Sequence, residues 1–133
     1  MDRLFKIGFR KAGEWVQNKS GIDYILDECG DDSNILYCFV SESTVLYVGK
    51  TVQSLKKRMY GYKRPGPTQS TNIKGNKNIN KLLSEGKQVE IYALPDNGLL
   101  HFGDFHINLA AGLEDSIVKT LNPLWNKTGT ANK

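Results

Sequence analysis

Cysteine is scarce in this chain of 133 residues, with Cys29 and Cys38 the only two. That excludes a disulfide framework and a cysteine zinc cluster, and it points to a reducing, intracellular (cytoplasmic) compartment. Cys38 lies inside an apolar run and reads as a core residue. No apolar run approaches the ~18–20 residues needed to cross a bilayer, and the N-terminus lacks the apolar region of a secretory signal. Membrane partners are therefore not expected. Internal repeats are also missing, and the length suits one domain with a modest core.

What the chain does have is a strongly uneven charge. The net charge is +4, but residues 50–90 carry ten Lys or Arg against two Glu. Residues 1–49 carry five basic against eight acidic groups, and residues 91–133 three against four. A basic band of this kind suits a phosphate backbone, where each neutralised phosphate releases counterions.

The pattern of apolar residues outlines an α+β fold. Phe5, Ile7 and Phe9 alternate like a strand, and Asn18-Lys19-Ser20-Gly21 is a turn signal, so a short β-ribbon is expected near the N-terminus. Asp27, Glu28, Asp31 and Asp32 mark a connecting loop. Ile35–Val40 and Thr44–Val48 form a hairpin around Ser41-Glu42-Ser43. A three-residue loop would set Tyr37 directly opposite Tyr47 on one face, and a two-residue loop would put them on opposite faces.

Ser54 is the expected N-cap of a helix carrying Leu55, Arg58, Met59 and Tyr62 on one stripe. An arginine in a core-facing stripe is costly unless it is paired or functional. Residues 63–78 read as a long basic loop, followed by a short helix with Ile79, Leu82 and Leu83 inward and Gly86 at its end. Val89–Leu94 reads as a third strand, and Phe102-Gly103-Asp104-Phe105 as a tight turn between two short strands. The last helix spans about Leu109–Leu121, with Leu113, Ile117 and Leu121 inward and Glu114 at the stripe's edge, and Asn122-Pro123 stops it. The expected architecture is a small antiparallel or mixed sheet of about three core strands flanked by helices. An N-terminal extension covers 1–33, the main domain 34–127 and a flexible tail 128–133.

The spacing of these pieces carries a resemblance. Leu36-Tyr37, Tyr47-Val48-Gly49-Lys50-Thr51, Leu55-Lys56-Lys57-Arg58 and then Glu114, Ile117, Leu121-Asn122-Pro123 and Asn126 together resemble the GIY-YIG nuclease superfamily. Among its members the small phage and restriction endonucleases are the most similar in outline. The match spans roughly 34–127. It departs at Ile35-Leu36-Tyr37 in place of Gly-Ile-Tyr, at Val48 in place of isoleucine, and at Tyr62, where many relatives carry histidine.

The resemblance implies a DNA endonuclease that hydrolyses phosphodiester bonds with one Mg²⁺ per site, for which Mn²⁺ can substitute. It implies Glu114 as the metal ligand, Arg58 on the phosphate, Tyr37 as general base, Tyr47 on the water or phosphate, and Asn126 holding backbone. Residue chemistry agrees in outline. Magnesium often uses only one or two protein carboxylates, and a guanidinium fork suits non-bridging phosphate oxygens. Tyr37 would need its pKa lowered from ~10, with Arg58 or Lys50 supplying the charge. Lys50 and Tyr62 are supporting candidates.

Lys56, Lys57, Lys63, Arg64, Lys74 and Lys77 are the expected phosphate contacts, and Asn72, Asn76 and Asn78 could read base edges. The implied partner is double-stranded DNA, bound by a homo-oligomer, because one site cuts one strand. Taken singly, each residue has a plain structural reading: strand tyrosines pack, helix glutamates face solvent, and His101 and His106 are surface hairpin residues. The rival functions are a structure-selective repair or recombination nuclease and a catalytically silent DNA-binding protein of the same fold.

Overall fold

The computed structural model describes residues 1–96, 98 and 100–127, so the expected tail at 128–133 lies outside the described residues. Helix α1 is Asp2–Lys6, followed by strands β1 (Arg10–Asn18), β2 (Gly21–Leu26), β3 (Ile35–Ser41) and β4 (Thr44–Thr51). Helices α2 (Leu55–Lys63) and α3 (Ser70–Ser84) lead to β5 (Val89–Pro95) and to the two-residue strands β6 (His101–Phe102) and β7 (Phe105–His106). Helix α4 (Leu109–Leu121) and a 3-10 turn (Leu124–Lys127) close the described chain.

The main sheet is antiparallel, with order β2-β1-β5-β3-β4. It has five strands, two more than the core count expected, because the N-terminal ribbon joins the sheet through β5. Strand β3 is buried on both faces, so its sequence runs apolar from Ile35 to Val40 before the buried Ser41. Ile35, Tyr37 and Phe39 point toward α2 and α3, while Leu36, Cys38 and Val40 point toward α1 and α4. The two helical layers therefore lie on opposite faces. Among the described residues no helix is long and apolar enough to span a membrane.

Two local expectations fail for identifiable reasons. Residues 2–6 are helical rather than extended. The helix buries Leu4, and Gly8 at φ +108° redirects the chain so that Phe9 is buried while Phe5 and Ile7 remain exposed. The larger failure is 63–78. Only residues 64–69 form a loop, and Ser70 begins a helix of 15 residues. Its inward positions start with Asn72, Gly75 and Asn76 before reaching Ile79, so the helical period is there but its first turns are polar.

Other signals hold. The Ser54 hydroxyl accepts from the Lys57 amide at 3.2 Å. Gly86 takes a positive φ after α3, and Asn122 is left-handed at the end of α4. The acidic loop before β3 sits on the start of α2, where the Gly30 and Asp32 carbonyls accept from the Lys56 and Leu55 amides.

Because β1 is hydrogen-bonded on both sides and supplies the fully buried Trp15, a chain beginning at residue 34 is expected not to fold. Circular dichroism and amide NMR dispersion of that truncation decide the matter. A folded spectrum would make 1–33 a dispensable extension.

Candidate active site

The site begins with the register of β3 and β4. Glu42 and Ser43 have φ of 51° and 64°, forming a two-residue turn that pairs Ser41 with Thr44. Such a turn alone would place the tyrosines on opposite faces. Leu46 is an extra residue, however, since Val40 pairs with Val45 while Phe39 pairs with Tyr47. This bulge returns Tyr47 to the face of Tyr37. The two phenols are thus not directly opposite, as the three-residue loop would have had them, since Tyr37 pairs with Gly49. Their ring centroids lie 6.2 Å apart. Gly49 is needed there, because a Cβ would come within 2.8 Å of both tyrosine side chains.

Arg58 reaches into this cluster from α2. Its Nε donates to the Tyr37 hydroxyl at 3.1 Å, Nη2 to the Tyr62 hydroxyl at 3.0 Å, and Nη1 to the Asn72 side-chain carbonyl at 2.7 Å. The Tyr37 and Tyr62 hydroxyls share a hydrogen bond of 2.7 Å. Tyr62, standing where many relatives carry histidine, is therefore both packed and polar. Its ring fits under α3 because residue 75 is glycine, where a Cβ would meet the ring at 2.7 Å.

Arg58 pairs with no carboxylate among the described residues. Burial works against its charge, but the surrounding tyrosine oxygens outweigh that and keep the guanidinium protonated. Tyr37 behaves contrary to expectation. Burial, followed by the neighbouring Tyr47, pushes its pKa well above the ordinary value, and Arg58 does not offset this. Lys50 does not help either. It alternates with Gly49 to the opposite face and lines a separate cleft with Asn108 and Ala111. Tyr37 is a sealed, protonated phenol.

A cleft of 310 Å³ opens beside the network, lined by Tyr47, Tyr62, Lys74, Asn78, Trp125 and Asn126 together with Phe39, Ser70, Thr71 and Gly75. Asn126 clamps β4: its side-chain amide donates to the Val48 carbonyl and accepts from the Val48 amide, each at 2.9 Å. Glu114 is half-buried on α4, the helix whose apolar side packs on the sheet face of Leu36 and Val48, and it makes no hydrogen bond or ion pair with a described residue. Among the described residues no three metal-binding side chains cluster. A single unpaired carboxylate nevertheless fits an ion that keeps most of its waters and takes phosphate oxygens as further ligands.

The surface candidates divide. Lys57, Arg64, Lys74 and Lys77 are exposed, with Lys74 on the cleft wall. Lys56 pairs with Asp31 at 3.5 Å and Lys63 with Asp23 at 3.1 Å, so any phosphate would compete with these carboxylates. Asn72 and Asn76 are not placed to read bases. Asn72 is buried on Arg58, and Asn76 donates to the Tyr62 carbonyl at 2.8 Å. Ser70, Thr71 and Trp125 go unmarked in the sequence, and Asn72 is marked there only as a reader of base edges. The signal available was the spacing of 72, 75, 76 and 79, which is helical and follows directly on Arg58. His106 pairs with the buried Asp96 at 3.3 Å, and both histidines sit on the β6–β7 hairpin as surface residues.

The buried phenols carry a pH prediction. Burial, then the neighbouring Tyr37 and Tyr47, raises the pKa of Tyr62, just as burial and then Tyr47 raise that of Tyr37. Above pH ~10 the unfolded chain loses these protons while the folded chain keeps them, so stability is full below that pH and falls as pH rises through it. The loss is about 1.4 kcal/mol per phenol per pH unit. Ultraviolet titration should show two of the six tyrosines ionising only as the fold melts. Smooth ionisation of all six in the folded state would contradict the sealed network.

No family model matches the chain. UvrABC system protein C of Wolinella succinogenes is 34% identical over 101 residues, covering 76% of this chain. The match spans only 15% of that relative's length. A point mutant of bacteriophage T4 EndoII superposes with a TM-score of 0.70 at 22% identity, over 94% of this chain and 95% of that one. Restriction endonuclease HPY188I in complex with product DNA gives 0.56 at 20% identity, over 90% and 76%. The chain thus has the fold of these endonucleases, and that fold brings together Tyr37, Tyr47, Arg58 and Asn126, on which the resemblance to the GIY-YIG nuclease superfamily rests.

Proposed function

We propose that the chain is a metal-dependent DNA endonuclease of restriction or phage type, hydrolysing phosphodiester bonds. The observation that carries this reading is a fixed guanidinium with no carboxylate partner among the described residues, set behind the phenols of an open polar cleft. Three of the five N–H groups of Arg58 are engaged by described residues, and the other two are the ones that would meet non-bridging phosphate oxygens. Tyr47 supplies the phenol on the cleft wall that orients water or phosphate. Tyr37 and Tyr62 hold Arg58 rather than moving the proton themselves. Asn126 keeps the backbone next to Tyr47 in place, and Lys74 adds positive charge along the cleft.

Glu114 is the carboxylate that would hold Mg²⁺ or Mn²⁺. When bound, the ion would compensate charge on the phosphate and assist the leaving oxygen. The substrate is double-stranded DNA. One site cuts one strand, so duplex cleavage calls for a homo-oligomer or repeated nicking. A second reading, incision of damaged or branched DNA, is favoured by the similarity to a UvrABC component. Mapping the ends separates the two readings: discrete sequences on intact duplex support the first, and cuts beside a lesion or junction support the second.

Supercoiled plasmid with Mg²⁺ should be nicked by the wild type and spared in EDTA. Arg58→Ala should lower turnover about 10²–10³-fold, as loss of one preorganised charged donor does. Glu114→Gln should abolish nicking while duplex binding persists, and full activity in that variant would remove the metal assignment. Lys74→Ala and Lys77→Ala should each weaken binding and lower the slope of log affinity against log salt by about one. An unchanged slope would take α3 off the DNA.

A further inference from the structure

We infer that Asn72 is a positioning residue that holds Arg58 in place while leaving its positive charge uncompensated; this rests on the nuclease reading above. Asn72 lies on the first turn of α3, in the segment that looked like a loop, and is 8% exposed. Its Oδ1 accepts from Arg58 Nη1 at 2.7 Å, the shortest of the three bonds to the guanidinium. Its Nδ2 donates to Gln69 Oε1 at 3.0 Å, and the same Oε1 accepts from the Gly66 amide at 2.8 Å. This second acceptor decides which way the Asn72 amide turns, so its oxygen faces Arg58. Room for the pair comes from Gly61, where a Cβ would lie 3.3 Å from both Arg58 Nη1 and Asn72 Nδ2.

The neutrality of the partner is the point. Aspartate at 72 would offer the same acceptor and would bind the guanidinium more strongly. It would also cancel the charge that a phosphate is meant to meet. Every group that fixes Arg58 is uncharged: two phenols and one amide. A purely structural role, tying α3 to α2, would be served by the carboxylate too, its stronger bond to Arg58 offsetting the lost donation to Gln69.

Asn72→Asp therefore separates the two roles. The expected result is a melting temperature close to that of the wild type, a KM for plasmid DNA within a few-fold, and kcat lowered about 100-fold. Gln69→Ala, on the exposed loop, frees the amide without adding charge and should lower kcat about five-fold, less than the loss of a charged donor. Wild-type kcat in a folded Asn72→Asp protein would overturn the inference and leave the nuclease reading standing. If that variant does not fold, Gln69→Ala decides, and an unchanged kcat there overturns it. A wild-type protein that fails to nick DNA under Mg²⁺ or Mn²⁺ defeats the nuclease reading and this inference with it.

Discussion

A guanidinium withdrawn from water and given no carboxylate is among the most expensive groups a small domain can carry. Here Arg58 stands in the core-facing stripe of α2, and three separate elements supply its partners: Tyr37 from β3, Tyr62 from one turn further along α2, and Asn72 from α3. Removing any one would leave a half-buried N–H unsatisfied. The desolvation cost is then on the order of 1–3 kcal/mol, more for a charged group. The packing of α2 and α3 on the sheet is thus organised around one cation. Glycines at 49 and 75 are the clearances that let the phenols reach it.

The same arrangement divides labour between two tyrosines that the motif treats as a pair. Tyr37 is 1% exposed and bonded to Arg58, whereas Tyr47, brought to the same face by the bulge at Leu46, borders the cleft. Desolvation keeps the first phenol protonated, and the open wall lets the second meet solvent or substrate. The step from the inner strand β3 to the outer strand β4 is enough to separate a structural phenol from an accessible one.

The motif tyrosines, Arg58, the Ser54 cap, the hairpin at 41–44 and the end of α4 were legible because each depends on short-range chemistry. Alternating burial, a hydroxyl cap and a proline stop leave marks within a few residues. Arg58 was visible as an anomaly, a charge where the period calls for an apolar side chain. What was hidden depends on distant partners. Asn72, Gly75 and Asn76 face inward only because Arg58 and Tyr62 await them, so the first half of α3 looks like a polar loop. The bulge at Leu46 is decided by how β3 and β4 pack together, and neither loop length considered in isolation describes it. The pKa of Tyr37 could not be read from nearby positive residues, since burial dominates and Lys50 points elsewhere.

Strand β4 is one of the two outer strands of the sheet, and Asn126 meets its free side. Donating to the Val48 carbonyl while accepting from the Val48 amide, the side-chain amide imitates one rung of a neighbouring peptide. An uncovered edge of alternating N–H and C=O groups invites another strand to add, whether from a second molecule or in an aggregate. Asn126 thus gives the ladder a local end, at the residue next to the cleft-facing Tyr47. The form of the cleft wall and a barrier against unwanted strand exchange come from the same two hydrogen bonds.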